Sequence, residues 1–250
     1  MTRIIAVTGK GGTGKTAITA MLMRHLVKDD NLVLAVDADP DTNLPDALGC
    51  EIDHTLGEMR EFMLNERDNF PPDSNKESVL ESKVYEAINE MDDYDLLVMG
   101  RPEGPGCYCY VNNLLRGIMT RLVTNYDAVI IDTEAGLEHF SRKLIPEIDD
   151  LIVVTDGSKR GMQTGERIRQ LVGELETKVK NVYVVANKVT ESNRELIEQN
   201  AKDLDLRLLG AVPVDKIIEE RDLKGLPLFD LPDESVAIKE INNIANDLNL

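Results

Sequence analysis

The stretch that decides the fold is "GKGGTGKT" at residues 9–16, in which a glycine is followed after four residues by Gly14, Lys15 and Thr16. This spacing is the pattern of a phosphate-binding loop. The loop follows the apolar run "RIIAVTG" (3–9), which predicts a buried strand, and it precedes apolar residues at helical spacing. Glycines let consecutive backbone N–H groups surround phosphate oxygens, and the helix N-terminus adds its positive dipole end. The alternative is a glycine-rich turn that binds nothing.

The side chains of the loop have separate expected roles. Lys15 is expected to neutralise charge on the β- and γ-phosphates, and the hydroxyl of Thr16 is expected to bind Mg²⁺. Lys10 is hard to place on the same triphosphate from the same side. It therefore either reaches a nucleotide on another chain or is a solvated surface lysine. The residues expected to contact the phosphates are Gly11, Gly12, Thr13, Gly14, Lys15 and Thr16.

Strand and helix patterns alternate along the rest of the chain. Continuous apolar runs predict further strands at 31–39, 93–100, 126–133, 150–156, 181–188 and 207–213. Helical spacing of apolar residues is found at 16–28, 111–124, 161–178, 190–204, 214–222 and 234–248. Continuously apolar strands, each followed by a helix, predict an α/β fold of the P-loop NTPase class with a mostly parallel central sheet and helices on both faces.

Residues 65–92 interrupt this alternation. They begin with polar, proline-containing sequence, and apolar residues from Leu80 to Met91 then recur at the spacing of one amphipathic helix. We interpret the segment as a loop-plus-helix insertion on the sheet and not as a second domain. Residues 1–250 are therefore predicted to form a single domain.

Composition and charge argue against several classes of protein. Of the 250 residues 42% are hydrophobic, which is enough for one buried core, and no apolar run approaches the roughly 18 residues of a membrane span. The absence of a signal-peptide pattern and the presence of three cysteines indicate a cytoplasmic protein with free thiols. The net charge of −18 repels nucleic acid and anionic lipid, so we expect neither nucleic acid nor a membrane as the main partner.

Acidic residues follow two of the predicted core strands. Asp37 and Asp39 alternate at the end of the second strand, and Asp132 lies at the end of the strand at 126–133. A carboxylate at this end of a strand, beside the phosphate loop, can orient an attacking water or hold Mg²⁺ directly or through water. Any one of these acids could instead cap a helix, but acids at the ends of two different strands favour a nucleotide site.

The segment "ANKV" places Asn187 at the end of the strand at 181–188. Its carboxamide both donates and accepts, which matches the N6/N7 edge of adenine. Guanine-binding proteins of this class carry Asn-Lys-x-Asp, and the fourth position here is Thr190. The sequence therefore favours ATP over GTP.

The stretch "GPGCYCYVNN" (104–113) contains Cys107 and Cys109, one residue apart. In an extended chain their side chains share a face with the Cα atoms roughly 6.6 Å apart, near the upper limit for a disulfide. Two thiolates suit Zn²⁺, Ni²⁺ or Cu⁺ but do not complete a four-coordinate site, whereas a two-fold homodimer would supply four. The alternative is a pair of small buried hydrophobic side chains. Cys50 matches no such motif, and we expect it to be structural.

The loop "KGGTGKT" resembles the deviant Walker A motif of the MinD/ParA-type ATPases. The resemblance implies that Lys10 crosses a homodimer interface to the phosphates of the partner. "VDADPDTNL" is similar to the first switch loop of that family, which implies that Asp39 positions the attacking water and that Asn43 belongs to the nucleotide site. Asp132 resembles the acid of the magnesium shell. "AVPVD" with Pro213 resembles the loop that flanks adenine.

Within that group, "CYC" followed by "NNLLR" resembles the CooC-type ATPases, which insert nickel into carbon monoxide dehydrogenase, with a variant serving acetyl-CoA synthase. The resemblance extends from the phosphate loop through Asn187. It implies that Cys107 and Cys109 form a metal site shared across the homodimer, with Ni²⁺ as cargo and Zn²⁺ also accepted. The expected function is that of an ATP hydrolase that uses ATP and Mg²⁺ to deliver nickel to one of these client enzymes.

Two other functions stay open from the sequence. An electron-transfer ATPase of the nitrogenase iron protein type needs two separated cysteines per chain, one of them beyond the strand at 126–133, and no cysteine follows Cys109. A MinD/ParA-type positioning ATPase would act on a membrane or on DNA. Its membrane form expects a basic amphipathic anchor, whereas the C-terminal segment 235–250 is acidic.

Overall fold

The computed structural model describes residues 2–65, 76–101, 109–134, 145, 147–173 and 177–250. Within these residues an eight-stranded sheet forms the centre of the molecule. The strands are β1 (Arg3–Gly9), β2 (Val33–Ala38), β3 (Ile88–Glu90), β4 (Asp95–Val98), β5 (Ala128–Thr133), β6 (Glu147–Thr155), β7 (Lys178–Val189) and β8 (Leu208–Pro213). Their order across the sheet is β3-β4-β2-β5-β1-β6-β7-β8.

Every strand pairing in this sheet is parallel except that of β3 with β4. The helices of the described residues are α1 (Lys15–Leu26), α2 (Leu44–Leu48), α3 (Leu56–Asn65), α4 (Lys76–Glu86), α5 (Cys109–Leu122), α6 (Lys159–Val172), α7 (Arg194–Asp203), α8 (Lys216–Lys224) and α9 (Val236–Leu248). The predicted α/β fold with a mostly parallel central sheet is confirmed. None of the helices in the described ranges has the length and apolar character needed to span a bilayer.

Successive residues of a central strand belong to two different cores, one on each face of the sheet. In β1, Ala6 packs in the core that contains Leu115 of α5, whereas Ile5 and Val7 pack in the core that contains Ile241 of α9. Because successive side chains of a strand point to opposite faces, a strand covered by helices on both sides is apolar at most positions on both faces. This requirement accounts for the unbroken apolar runs in the sequence.

The helix predicted from Leu80 to Met91 lies earlier in the chain than the apolar spacing indicates and starts at Lys76. It ends at Glu86, and Ile88–Glu90 form the antiparallel edge strand β3. The side-chain nitrogen Nδ2 of Asn89 lies within hydrogen-bonding distance of three backbone carbonyl oxygens, one of them in β4. A buried amide must keep such partners, so this network outweighs the helical pattern of the flanking apolar residues.

The predicted insertion at 65–92 is described only in part, because residues 66–75 lie outside the described ranges. Its described part consists of α4 and β3, and β3 extends the central sheet beyond β4. That residues 1–250 form a single domain stays a prediction.

Candidate functional site

The phosphate loop joins β1 to α1 and is open on one side. Gly12 and Gly14 have backbone φ angles of 79° and 89°, in the left-handed region that favours glycine. A Cβ added to Gly11 or Gly12 would meet no heavy atom within 4 Å. Thr13 closes the loop, because its Oγ1 donates to the carbonyl oxygen of Lys10 at 2.8 Å. The open backbone surface next to the helix N-terminus fits phosphate oxygens.

The end of β7 holds the phosphate loop from the other side. Asn187 donates from Nδ2 to the carbonyl oxygen of Thr13 at 2.9 Å, and its Oδ1 accepts the backbone N–H of Lys188 at 2.9 Å. A Cβ on Gly14 would lie 2.3 Å from this Nδ2. Asn187 thus supports the phosphate loop. Its predicted contact with adenine stays a prediction, and so does that of Pro213, which ends β8 opposite Val189 of β7.

The first turn of α1 contacts the end of β5. Thr16 donates from Oγ1 to Oδ2 of Asp132 at 2.6 Å, and Thr19 donates to Oδ1 of the same carboxylate at 3.3 Å. Burial raises the pKa of Asp132 to about 6, opposed by the hydrogen bond from Thr16 and by the positive charge of Lys15. Mg²⁺ prefers oxygen ligands, so the hydroxyl of Thr16 and the carboxylate of Asp132 are a donor set that fits it.

Asp37 and Asp39 differ in their surroundings although they are two residues apart. Asp37 is completely buried at the end of β2, where its Oδ1 and Oδ2 accept the backbone N–H groups of Asp39 and Leu44, each at 3.0 Å. Burial raises the pKa of Asp37 to about 7, and the neighbouring carboxylate of Asp132 adds to this increase. Asp39 is half-buried and its Oδ1 accepts the backbone N–H of Asp41 at 3.0 Å. Asp39 is therefore the more accessible acid of the two.

A cavity of about 700 Å³ opens beside the start of α1. Thr16 and Asn43 line it, together with Cys50 and residues 225–228 of the loop that follows α8. Its volume lies in the range of ligand pockets. Asn43 lines the same space as Thr16, and its contact with a nucleotide stays a prediction. The thiol of Cys50 lies 3.7 Å from the carbonyl oxygen of Pro45, and burial raises the pKa of this thiol. Cys50 is therefore held as a neutral thiol.

Lys10 is exposed at the rim of the phosphate loop. Its charge acts on the carboxyl of Asp156, immediately after β6. Hydrogen bonds from Ser158 hold the pKa of the Asp156 carboxyl below its usual range, and the positive charge of Lys10 contributes to this. An exposed lysine next to the loop is accessible to a second chain, and its contact with a partner stays a prediction.

The predicted cysteine site is only partly covered by the description. Cys107 lies outside the described residues, and Cys109 is the first residue of α5. Among the residues the structure describes, no group of three or more His, Cys, Asp or Glu side chains is placed to hold a metal ion. The shared site of Cys107 and Cys109 therefore stays a prediction.

Arg101 is the last described residue before the segment that contains Cys107, and it contacts the loop that follows Asp39. Its Nε donates to the carbonyl oxygen of Pro40 at 3.2 Å, and its Nη2 pairs with Oδ1 of Asp41 at 3.0 Å. Arg101 thus joins the end of this described range to the loop that starts at Asp39.

Three residues of the site were not found from the sequence. Thr19 lies one helical turn after Thr16, and spacing along α1 could have indicated that both face β5. Lys188 follows Asn187 directly, and its Nζ lies 3.5 Å from the carbonyl oxygen of Gly12. The third is Arg101, for which the sequence carries no signal, because its partners are about sixty positions away.

The chain resembles known proteins in both sequence and fold. A family model described as the CobQ/CobB/MinD/ParA nucleotide binding domain matches residues 4–228. The chain is 53% identical to an uncharacterized ATP-binding protein of Methanocaldococcus jannaschii, over 97% of this chain and 96% of that protein. It is 34% identical to the carbon monoxide dehydrogenase accessory protein CooC of Rhodospirillum rubrum, over 91% and 89% of the two chains. The structure of the septum site-determining protein MinD from Pyrococcus horikoshii, complexed with Mg-ADP, superposes with a TM-score of 0.74 at 24% identity, covering all of this chain and 96% of that one.

Proposed function

Because the chain belongs to the CobQ/CobB/MinD/ParA family of nucleotide-binding domains, we propose that it is an ATP-dependent nickel chaperone. It is an ATP-binding protein of the MinD/ParA type. In this proposal, ATP hydrolysis changes the state of a homodimer. The change loads nickel into a site shared by the two chains and releases it to carbon monoxide dehydrogenase or acetyl-CoA synthase. The observation that carries the nickel role is the similarity to CooC over 91% of the chain.

The hydrolytic site is built from the residues around the phosphate loop. Lys15 binds the β- and γ-phosphates, and Thr16 and Asp132 are the residues that would hold Mg²⁺. When bound, Mg²⁺ neutralises charge on the phosphate oxygens. Asp39, half-buried directly after β2, orients the attacking water. Lys10 of each chain reaches the phosphates of the other, which makes hydrolysis a property of the homodimer.

The nickel site consists of Cys107 and Cys109 from both chains. Two thiolates per chain leave a four-coordinate site half filled, and a two-fold axis supplies the other two. Such a set of soft ligands also accepts Zn²⁺. The nucleotide state reaches this site through the contact of Arg101 with Pro40 and Asp41, because Arg101 begins the segment that carries the cysteines.

The test is nickel and zinc binding by the purified protein, measured with its oligomeric state by size-exclusion chromatography in ADP and in a slowly hydrolysed ATP analogue. The proposal expects one metal ion per dimer, lost in Cys109→Ser and kept in the matched control Cys50→Ser. Stoichiometric metal on a monomer, or full binding by Cys109→Ser, would contradict it. A brown anaerobic preparation with a cluster-like visible spectrum would point to electron transfer instead.

A further inference from the structure

Asp37 is a buried carboxylate to which the proposed reaction gives no part. It has no exposed surface, yet both of its oxygens are engaged. Oδ1 accepts the backbone N–H of Asp39 and Oδ2 accepts that of Leu44, each at 3.0 Å. A carboxylate is costly to bury, and it persists in a core where its oxygens receive such donors.

These two bonds fix both ends of one short loop. The loop of residues 39–43 starts at Asp39 and ends where α2 begins at Leu44. Between these ends, the carbonyl oxygen of Asp39 accepts the backbone N–H of Thr42 at 3.0 Å, and its side chain accepts that of Asp41. The inner geometry of the loop is thus built on Asp39, whose position is set by Asp37.

Asp37 itself is fixed by the sheet. It is the register partner of Asp132 across β2 and β5, and its carbonyl oxygen accepts the backbone N–H of Met99 at 2.8 Å. The loop is therefore anchored to the part of the sheet that carries Asp132. Asp132 in turn accepts a hydrogen bond from Thr16.

The hydrogen bonds from the N–H groups of Asp39 and Leu44 need a side chain with two acceptor atoms. Ionised or protonated, a carboxyl group keeps an acceptor lone pair on each of its two oxygens, whereas a carboxamide accepts only through its oxygen and donates through its nitrogen. Asparagine at this position would turn an NH₂ group towards a backbone N–H and release one end of the loop. A serine hydroxyl is shorter and has a single oxygen.

We propose that Asp37 is the positioning residue of the hydrolytic site. It holds the loop of Asp39 and Asn43 in register with the phosphate loop and with Asp132, and it does not touch the nucleotide. This inference rests on the proposed ATP hydrolysis and on the role of Asp39 in it. Misplacing a catalytic group by about 1 Å costs on the order of 100-fold in rate, so releasing one end of the loop acts on kcat.

The experiment compares ATP hydrolysis and ATP binding by wild type, Asp37→Asn, Asp39→Asn and the double variant. We expect Asp37→Asn to lower kcat by about 100-fold while the Kd for ATP stays within about threefold of wild type. Because Asp37 acts through Asp39, the double variant is expected to be little slower than Asp39→Asn alone. The matched control is Asp150→Asn, which alters another completely buried acid, at the base of β6 and paired with Arg3, and keeps the wild-type kcat.

Each outcome decides one question. If wild type does not hydrolyse ATP, the proposed hydrolysis is wrong. If Asp39→Asn hydrolyses ATP as fast as wild type, the proposed role of Asp39 is wrong. If Asp39→Asn is slow while Asp37→Asn is as fast as wild type, or the two effects multiply, the inference on Asp37 is overturned and the proposed function stands.

Should Asp37→Asn fail to fold, Asp37→Ser and hydrogen exchange on the nucleotide-free wild type replace it. The amide hydrogens of Asp39 and Leu44 must exchange far more slowly than unbonded surface amides, and in Asp37→Ser at least one of them must lose this protection. Exchange of both at the surface rate in wild type would overturn the inference.

Discussion

The hydroxyl of Thr16 donates to Oδ2 of Asp132 at 2.6 Å, although 116 positions separate the two residues in the chain. The bond joins the first turn of α1 to the end of β5. Oγ1 of Thr16 and Oδ2 of Asp132 are the two oxygens proposed to bind Mg²⁺. The folded chain therefore already holds these two ligands next to each other. Thr19 reaches the other oxygen of the same carboxylate from the inner side of α1 and is fully buried.

Replacing Thr16 by Val is therefore expected to lower the rate of ATP hydrolysis by about 100-fold or more and to raise the Mg²⁺ concentration that supports it. Thr19→Val is the matched control, because it removes a bond to the same carboxylate from a buried position. It is expected to cost about 1 kcal/mol of stability and to leave the Mg²⁺ dependence unchanged. Equal Mg²⁺ titration curves for both variants would contradict the assignment of Thr16.

The buried acid Asp37 predicts a dependence of stability on pH. Its pKa is raised from 3.8 to about 7, so the folded chain binds the proton more tightly than the unfolded chain. The stabilisation is fully present below about pH 4 and is lost as the pH rises through 7, with an upper limit on the order of 4 kcal/mol. Thermal unfolding of the nucleotide-free, Mg²⁺-free protein is expected to occur at lower temperature at pH 8 than at pH 5.

Asp37→Asn removes this titration, so its unfolding temperature should fall less between pH 5 and pH 8 than that of wild type. Asp156→Asn is the control, because the pKa of Asp156 is lowered and its titration is complete below this window. The attribution is wrong if all three proteins show the same change.

Because Asn187 lies close to Gly14, adding one methyl group at Gly14 is expected to lower the stability of the protein strongly. At Gly14 a Cβ would lie 2.3 Å from Nδ2 of Asn187, and the φ of 89° disfavours any side chain. Asn187 is held by bonds to Thr13 and Lys188 and cannot move without losing them. Gly14→Ala is expected to lower the free energy of unfolding by about 2 to 4 kcal/mol, measured by urea denaturation.

Gly11→Ala is the matched variant in the same loop, where a Cβ meets nothing within 4 Å. Its stability should equal that of wild type, while its affinity for ATP falls because the methyl group occupies the open face of the loop. A Gly14→Ala protein as stable as Gly11→Ala would show that Asn187 does not constrain the loop.

The exposed position of Lys10 leads to a test of the homodimer. Lys10→Ala is expected to bind ATP as tightly as wild type and to hydrolyse it about 100-fold more slowly, whereas Lys15→Ala should lose ATP binding. If Lys10 acts across the interface, mixing inactive Lys10→Ala with inactive Asp39→Asn creates one complete site in each mixed dimer. Random mixing should restore about a quarter of the wild-type rate. No recovery in verified mixed dimers would mean that Lys10 acts within its own chain.

Arg101 is expected to link the nucleotide state to metal affinity. Arg101→Gln removes its ion pair with Asp41, and both side chains are about 70% exposed, so the energy involved is at most about 1 kcal/mol. The ratio of nickel dissociation constants in ADP and in an ATP analogue should therefore move towards one by up to about fivefold. The control is Arg169→Gln, which breaks an exposed pair with Asp205 elsewhere. Equal ratios in wild type and Arg101→Gln would exclude this path.

The fold could be predicted because its signals are local. Continuous apolar strands and the glycine spacing of residues 9–16 depend on nothing far away in the chain. Asp39 and Asp132 could be predicted as site residues because each lies at the end of such a strand. Where distant groups decide, the sequence pattern is insufficient. Asn89 forms its bonds with residues of other segments, so the edge strand β3 was predicted as helix. The direction of the Asp37 side chain, inward to Leu44, is likewise set by tertiary structure.

Three neighbouring strands in the middle of the sheet position the nucleotide site. The Asp39 loop follows β2, Asp132 lies in β5, and the phosphate loop follows β1. Central strands of a covered sheet are the last part of such a domain to open in native-state fluctuations. These three strands are therefore expected to open only when the domain unfolds globally. ATP bound there raises the free energy of that global unfolding by mass action, so the unfolding temperature is expected to rise with ATP concentration.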